Sequence, residues 1–541
     1  RRLLWILPLL LLLASCNNYR ASRGPADWLY ISPTGNDETG DGSSGNPWAT
    51  PAYAVTQASA GDTIFFQAGT YTISASVTVP VQVSLYSNVA AVCSAGGAVD
   101  AMFMLSSASE GTNGNQTISG LTFDGNLTAT MLIFIQARSN VKIHHCTFID
   151  ALVAGVGFIG RTTTSAGEPT TYATGNEFHH NTVTNCAQYD VIGRGNFEYA
   201  GQSGMLIYDN VITQPDRGGA THGYGIKTMH NDGYNHGIKI YNNVITVPEW
   251  EGAGFEFAIE MWTQRGGIEI YNNTISGGID VGGYDTNDQY GYGYAMRIYN
   301  NNIGRTAFTA STSRGVVIET GGPTGITGGI YIYNNYFHTI TNPIELGIGA
   351  ADMVFEDIFI HYNIFNDICR DANYSGFITK FTTINAYVAE FDNIQFNNNV
   401  IYNSAVNKLA AGFWGAVPGL TFTNTIIRNN IFYNSYQAVK FEDCTVTTIN
   451  VDNNNFYNCN YDIIYEDCTV TGNTAANNIT TDPAFVLAGS NFRLSAGSPC
   501  IDAGLSIGLT SDFAGHRVPQ QDTVDIGAYE YGDYLFRTPS G

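Results

Sequence analysis

Charge is what this sequence has least of. Only 13% of its 541 residues are Asp, Glu, Lys or Arg, about half the share usual in a globular chain. Disorder is excluded all the same, because it requires high charge and low hydrophobicity. Here 44% of residues are apolar, with 33 Tyr and 29 Phe among them. Basic residues are the scarcer sign: 23 Lys and Arg against 46 Asp and Glu give a formal net charge of −23. Such a surface repels phosphate and argues against a nucleic-acid binder. It also repels an acidic polysaccharide unless a cation stands between them. No two of the nine Cys are spaced as CxxC, so the common zinc frameworks are missing. Beyond the first sixteen residues no apolar run reaches the roughly 20 residues that a membrane-spanning helix takes.

Those sixteen residues read as an address. Arg1 and Arg2 precede an apolar run over residues 3–13, and Leu13-Ala14-Ser15-Cys16 closes it. The run is too short to span a bilayer but suits the apolar core of a signal peptide. The closing tetrapeptide resembles the lipobox of bacterial lipoproteins, which are cut before the Cys and acylated on it. The resemblance implies a signal peptide over 1–15, lipidation at Cys16 and a tether over 16–27. It places the protein in the bacterial cell envelope, exported and lipid-anchored at the outer membrane or cell surface, touching membrane through the lipid only. The other eight Cys would then sit where disulfides can form. Phe441-Glu442-Asp443-Cys444 and Tyr465-Glu466-Asp467-Cys468 are near copies 24 residues apart. If they occupy adjacent rungs, their Cys lie within disulfide reach. A parallel stack points both Cβ atoms the same way, however, so stacked reduced thiols are the expectation.

The same duplication runs through the chain. Ile-Tyr-Asn-Asn recurs at Ile240-Tyr241-Asn242-Asn243, Ile270-Tyr271-Asn272-Asn273, Ile298-Tyr299-Asn300-Asn301 and Ile332-Tyr333-Asn334-Asn335. Looser copies precede it at Ile143-His144-His145-Cys146, Phe178-His179-His180-Asn181 and Ile207-Tyr208-Asp209-Asn210. Others follow at Ile360-His361-Tyr362-Asn363, Phe396-Asn397-Asn398-Asn399, Ile427-Arg428-Asn429-Asn430 and Val451-Asp452-Asn453-Asn454. The last positions are 35, 29, 33, 30, 28, 34, 28, 36, 31 and 24 residues apart. A period in that range denotes a solenoid rather than a string of domains. Short β-branched and aromatic runs that alternate, punctuated by Gly and Asn, identify the repeat as strands and turns. Asn suits the turn because it tolerates the left-handed backbone region, and stacked copies would form a ladder. The pattern resembles the right-handed parallel β-helix of pectate-lyase-like proteins: all-β, single-stranded, capped at both ends.

Caps are needed because an open solenoid end exposes apolar core and strand edge. Residues 28–90 resemble the amino-terminal cap and first coils of exported β-helix proteins, with a short helix expected over 52–60. Coils extend over 91–480. Residues 481–541 resemble the closing segment of bacterial β-helix repeat proteins.

In pectate-lyase-like folds the substrate cleft lies along one sheet. Here that sheet corresponds to the strands holding Ile226-Lys227, Ile259-Glu260, Ile279-Asp280, Ile318-Glu319 and Ile344-Glu345. Alternation turns each Ile inward and each charged residue outward, so Lys227, Glu260, Asp280, Glu319 and Glu345 are expected in one vertical row in water. The bland account is a solvated sheet face with Lys227 and Glu260 as a surface ion pair. Trp250, Trp262, Tyr284, Tyr290, Tyr292 and Tyr294 lie nearby in sequence, and flat rings with a polar edge suit sugar faces. Arg194, Arg265 and Arg314 stand in flanking loops. His222, His230, Asp232 and His236 match no zinc spacing. Asn36, Asp37, Glu38 and Asp41 form an acidic loop that departs from the EF-hand pattern.

Three function classes fit. One is a polysaccharide lyase acting on a uronate polymer, with Lys227 as base and Ca²⁺ held by Glu260 and Asp280. Another is a glycoside hydrolase drawing its carboxylate pair from Glu260, Asp280 and Glu319. The third is a non-catalytic glycan-binding or structural surface protein. The first is the leading expectation; polysaccharide is the common partner.

Overall fold

The computed structural model describes residues 28–162, 169–187, 194–215, 223–228, 233–248, 257–282, 295–305, 313–320, 326–348, 353–368, 376–383, 389–404, 410–416 and 419–532. Each coil contributes one strand to each of three long parallel sheets. One coil shows the order: Lys239–Tyr241 in sheet I, Val244–Thr246 in sheet II, Phe257–Trp262 in sheet III, then Glu269–Tyr271 back in sheet I. Among the described residues the sheets hold 16, 14 and 14 strands. Neighbours within a sheet are always consecutive coils, so the chain winds as a right-handed parallel β-helix.

The repeat makes the winding possible through two different Asn positions. The first of each pair sits in the turn from sheet I to sheet II with a left-handed backbone: φ is 55° at Asn242, Asn272, Asn300 and Asn334. Side chains that bond locally visit that region at least cost. The second Asn is buried and forms the expected ladder. Asn210 Nδ2 donates to Asn243 Oδ1 at 2.9 Å, and Asn243, Asn273 and Asn301 each donate to the next at 3.0 Å. The same amides donate to the preceding coil, as Asn243 Nδ2 does to Ile207 O at 3.0 Å. The ladder thus ties these turns to the coils on either side.

Apolar columns fill the bore. Ile240, Ile270, Ile298, Ile332 and Ile360 are all fully buried, one above another. Burial of each such side chain contributes roughly 1.5–3 kcal/mol. On the outside of sheet I the Tyr of the repeat stack: Tyr208, Tyr241, Tyr271, Tyr299 and Tyr333 have ring centroids 4.8 to 4.9 Å apart and nearly parallel planes.

At the front, the helix spans Pro51–Gln57, starting one residue earlier and ending three earlier than the expected 52–60. Thr50 caps it by accepting from Tyr53 N at 3.1 Å, and Ala54 and Val55 enter the core. At the back, the closing segment turns along the side of the solenoid. Phe492, Leu494, Cys500 and Ile526 pack on Ile364, Val400 and Ile431 of sheet II. The final rung, Tyr461–Glu466 and Thr469–Ala476, stays largely exposed.

Cys444 and Cys468 occupy adjacent rungs as free thiols with Sγ atoms 3.4 Å apart. Much of the acidic front loop is engaged by the chain itself. Asp37 accepts from Ala49 N, Thr50 N and Thr50 Oγ1, and Asn36 accepts from Glu38 N and Thr39 N. Residues 1–27, with Cys16, lie outside the described residues.

Candidate functional site

Sheet III carries the charged row, and its register fixes which residues stand together. Glu198, Lys227, Glu260, Asp280, Val317 and Glu345 are successive partners on consecutive rungs. Glu319 belongs elsewhere: it pairs with Gly282, one rung above Asp280 and two residues along the strand. Val317 takes the place in the row that the sequence assigned to Glu319. Glu345 is in the row as expected, and Glu198 begins it from below.

These side chains point away from the bore, since Ile226, Ile259, Ile279 and Ile344 fill the core beside them. They do not stand in water. Lys227 is 4% exposed, Glu260 8%, Asp280 4% and Glu345 6%. That difference changes the energetics, because a buried charge has to be paired and hydrogen-bonded. The pairing is visible. The Lys227 ammonium meets the Glu260 carboxylate and lies 4.1 Å from the centre of the Tyr224 ring. Trp262 Nε1 donates to the other Glu260 oxygen at 3.1 Å. Below, Arg194 grips Glu198 with two bonds of 2.7 and 2.8 Å, and Gly195 N adds a third of 3.0 Å. Above, Arg314 Nε stands 3.3 Å from Glu345.

Asp280 lies between these pairs and shares in none of them. Its Oδ1 is buried without a hydrogen-bond partner among the described residues. Burial, then the nearby Glu319 carboxylate, pushes its pKa up to about 8, against the weaker pull of Lys227 and Arg314. At neutral pH it therefore keeps its proton. Burial also raises the pKa of half-buried Glu319, with Arg314 opposing.

Trp262 stands beside this acid. A Cβ at Gly282 would lie 2.8 to 2.9 Å from three carbons of the Trp262 ring, so the indole covers the backbone of the next rung. Arg265 is separate from the row, in the turn after the strand, its guanidinium 4.2 Å from the Tyr234 ring centre. His236 is buried against Tyr172, Nε2 to hydroxyl 3.1 Å. Trp250, Tyr284, Tyr290, Tyr292, Tyr294, His222, His230 and Asp232 lie outside the described residues. A groove of 430 Å³ sits at another corner, lined by Asn272, Asn300, Asn334, Tyr336 and Phe513, away from the row.

As a Ca²⁺ site, Glu260 and Asp280 are a poor donor set. Glu260 is already engaged by Lys227 and Trp262. Among the described residues no three His, Cys, Asp or Glu side chains converge so as to hold a metal ion. The sequence reading passed over Glu198 and Tyr224. Phe197-Glu198 repeats the inward-apolar, outward-charged frame of Ile226-Lys227 one coil earlier, so the signal was present.

Three parallel sheets, an Asn ladder at one corner and a charged row on an outer face together describe one architecture. The chain is a right-handed parallel β-helix. A family model described as a protein of unknown function, DUF1565, matches residues 33–256, from the front cap to one residue before the strand Phe257–Trp262 that holds Glu260. No curated protein matches the sequence. Solved structures similar to the β-helix include XylC with xylose, at 12% identity and TM-score 0.36, covering 93% of this chain and 99% of that one. Polygalacturonase from Erwinia carotovora is 11% identical with TM-score 0.31 over 85% and 97%. The Streptococcus pneumoniae surface adhesin PfbA is 13% identical with TM-score 0.34 over 79% and 87%.

Proposed function

We propose that this β-helix is an exported, lipid-anchored polysaccharide-processing enzyme whose substrate lies across sheet III, with Asp280 as general acid. The observation that carries this reading is Asp280 itself. It is a buried carboxyl with an unpartnered oxygen, kept protonated at neutral pH, one rung from a carboxylate held by a cation. Neighbouring carboxyl groups whose surroundings push them toward opposite protonation states mark an acid and its partner.

Asp280 gives its proton to the leaving glycosidic oxygen. Glu260, one rung and about 5 Å away, faces the anomeric carbon, a separation suited to hydrolysis with retention. Lys227 and the Trp262 N–H hold that carboxylate in place, and the indole offers a flat platform to the adjoining sugar. The lyase reading would use the same acid but take the substrate proton with Lys227. It requires the Lys227–Glu260 pair to open on binding and a cation to neutralise a uronate carboxylate, so hydrolysis is the better supported route.

The test is a panel of neutral and uronate polysaccharides, scored for new reducing ends and for double-bond absorbance. Reducing ends without that absorbance, abolished in Asp280→Asn, support hydrolysis. Absorbance that requires Lys227 supports elimination. Binding without either product would make the protein a non-catalytic glycan receptor and overturn the enzyme reading.

A further inference from the structure

Two consecutive coils depart from the repeat in a way that the fold does not require. Where later coils carry Tyr-Asn at the end of the sheet I strand, these carry His144-His145 and His179-His180. The first His of each pair continues the outer aromatic column: His144 stacks on His179 at 4.9 Å, and His179 on Tyr208 at 4.6 Å. The second takes the turn position. His145 and His180 have φ of 53° and 54°, the left-handed conformation that Asn adopts in later coils. Asn serves that position well, so both exposed imidazoles are surplus to the turn.

We propose that the two His-His pairs are chelating sites for a divalent transition-metal cation of the copper(II) or nickel(II) kind. His144 Nδ1 lies 2.8 Å from His145 Nδ1, and His179 Nδ1 lies 2.9 Å from His180 Nδ1. Two imidazole nitrogens that far apart, each about 2.0–2.1 Å from one ion, subtend about 90° at it. That angle belongs to neighbouring corners of a square or an octahedron, the geometries of copper(II) and nickel(II), rather than to a zinc tetrahedron. Ring columns on successive rungs are 4.9 Å apart, too far for one ion to draw nitrogens from both at such bond lengths. Each chelate is therefore a two-nitrogen site completed by solvent, consistent with no three-ligand cluster among the described residues.

The surroundings favour ligation. Glu177 lies 4.0 Å from His179 Nε2 and Asp209 lies 3.6 Å from His180 Nε2. Carboxylates facing the outer ring nitrogen orient a metal-bound imidazole and raise its basicity. Ser119 Oγ is 3.0 Å from His144 Nδ1.

The test uses untagged full-length protein titrated with copper(II) chloride and nickel(II) chloride, followed by calorimetry and, for copper, by electron paramagnetic resonance. Wild type should bind copper(II) with imidazole-nitrogen hyperfine structure. His145→Asn with His180→Asn restores the residue of later coils, so thermal unfolding should be unchanged while affinity falls at least about tenfold. Copper binding of unaltered affinity in that folded double variant, or a wild-type spectrum without imidazole nitrogen, overturns the proposal.

Discussion

The indole of Trp262 occupies the space that a side chain at residue 282 would need. A Cβ there would come within 2.8 Å of the ring, so Gly282 is what lets the indole lie over the neighbouring rung beside Asp280. Gly282→Ala should push the ring aside at a cost of about 1–3 kcal/mol and break its bond to Glu260. Tryptophan fluorescence and glycan affinity should change together while the far-ultraviolet spectrum stays that of a β-helix. An Ala variant with native fluorescence and binding would remove Trp262 from the site.

Lys227 and Glu260 are buried together, which makes each dangerous to remove alone. Lys227→Met leaves a buried carboxylate and Glu260→Gln a buried ammonium; each should cost about 3–5 kcal/mol in denaturant unfolding. The double variant should lose much less than the sum of the singles. Additive losses would show that the two charges do not depend on each other. Activity losses in either single variant are therefore to be read only at temperatures where both proteins remain folded.

Much of this architecture was legible in the sequence, and the misplaced part has a definite cause. Asn243, Asn273, Asn301 and Asn335 recur once per coil because each turn places one amide in the ladder. Glu319 was placed in the Asp280 row because Val316-Val317-Ile318-Glu319 alternates correctly for pairing through either Val317 or Glu319. Those two registers differ by two residues, and a period-2 pattern cannot separate them. The burial of Lys227 and Glu260 was also hidden, since alternation reports which face a residue takes and not what lies above it. Rarity of charge was the usable signal for the row. It pointed to Lys227, Glu260 and Asp280, which the register does bring onto consecutive rungs.

Cys16 carries the anchoring proposal alone. Cys16→Ser, expressed with its signal in a bacterial host, should move the protein from the membrane fraction to the soluble exported fraction, because one acylated Cys supplies the membrane affinity. Persistence of the variant in membranes would refute lipidation at this position.

Cys444 and Cys468 should behave as thiols. With Sγ atoms 3.4 Å apart and both side chains on the same side of adjacent rungs, they stack without bonding. Unreduced protein, denatured and reacted with a thiol reagent, should yield two labelled Cys at these positions by peptide mapping. Absence of label at both would indicate a bridge.

Asp280 makes the sharpest prediction because its protonation links stability and catalysis. Its pKa rises from an ordinary 3.8 to about 8 on folding, chiefly through burial. Between those values the folded protein holds a proton that the unfolded chain has released. Its contribution to stability is therefore fully present below pH 3.8, declines as pH rises, and is gone above about 8. Asp280→Asn is neutral at every pH and should abolish this slope. The variant should match wild type near pH 4 and exceed it by a few kcal/mol near pH 9, read from unfolding midpoints across the range. Turnover should follow the same proton: wild-type activity falls about tenfold per unit above the Asp280 pKa as the acid loses its proton, and the Asn variant is inactive throughout. Parallel stability curves for the two proteins would mean that Asp280 ionises normally in the fold, and the general acid would have to be sought in Glu319.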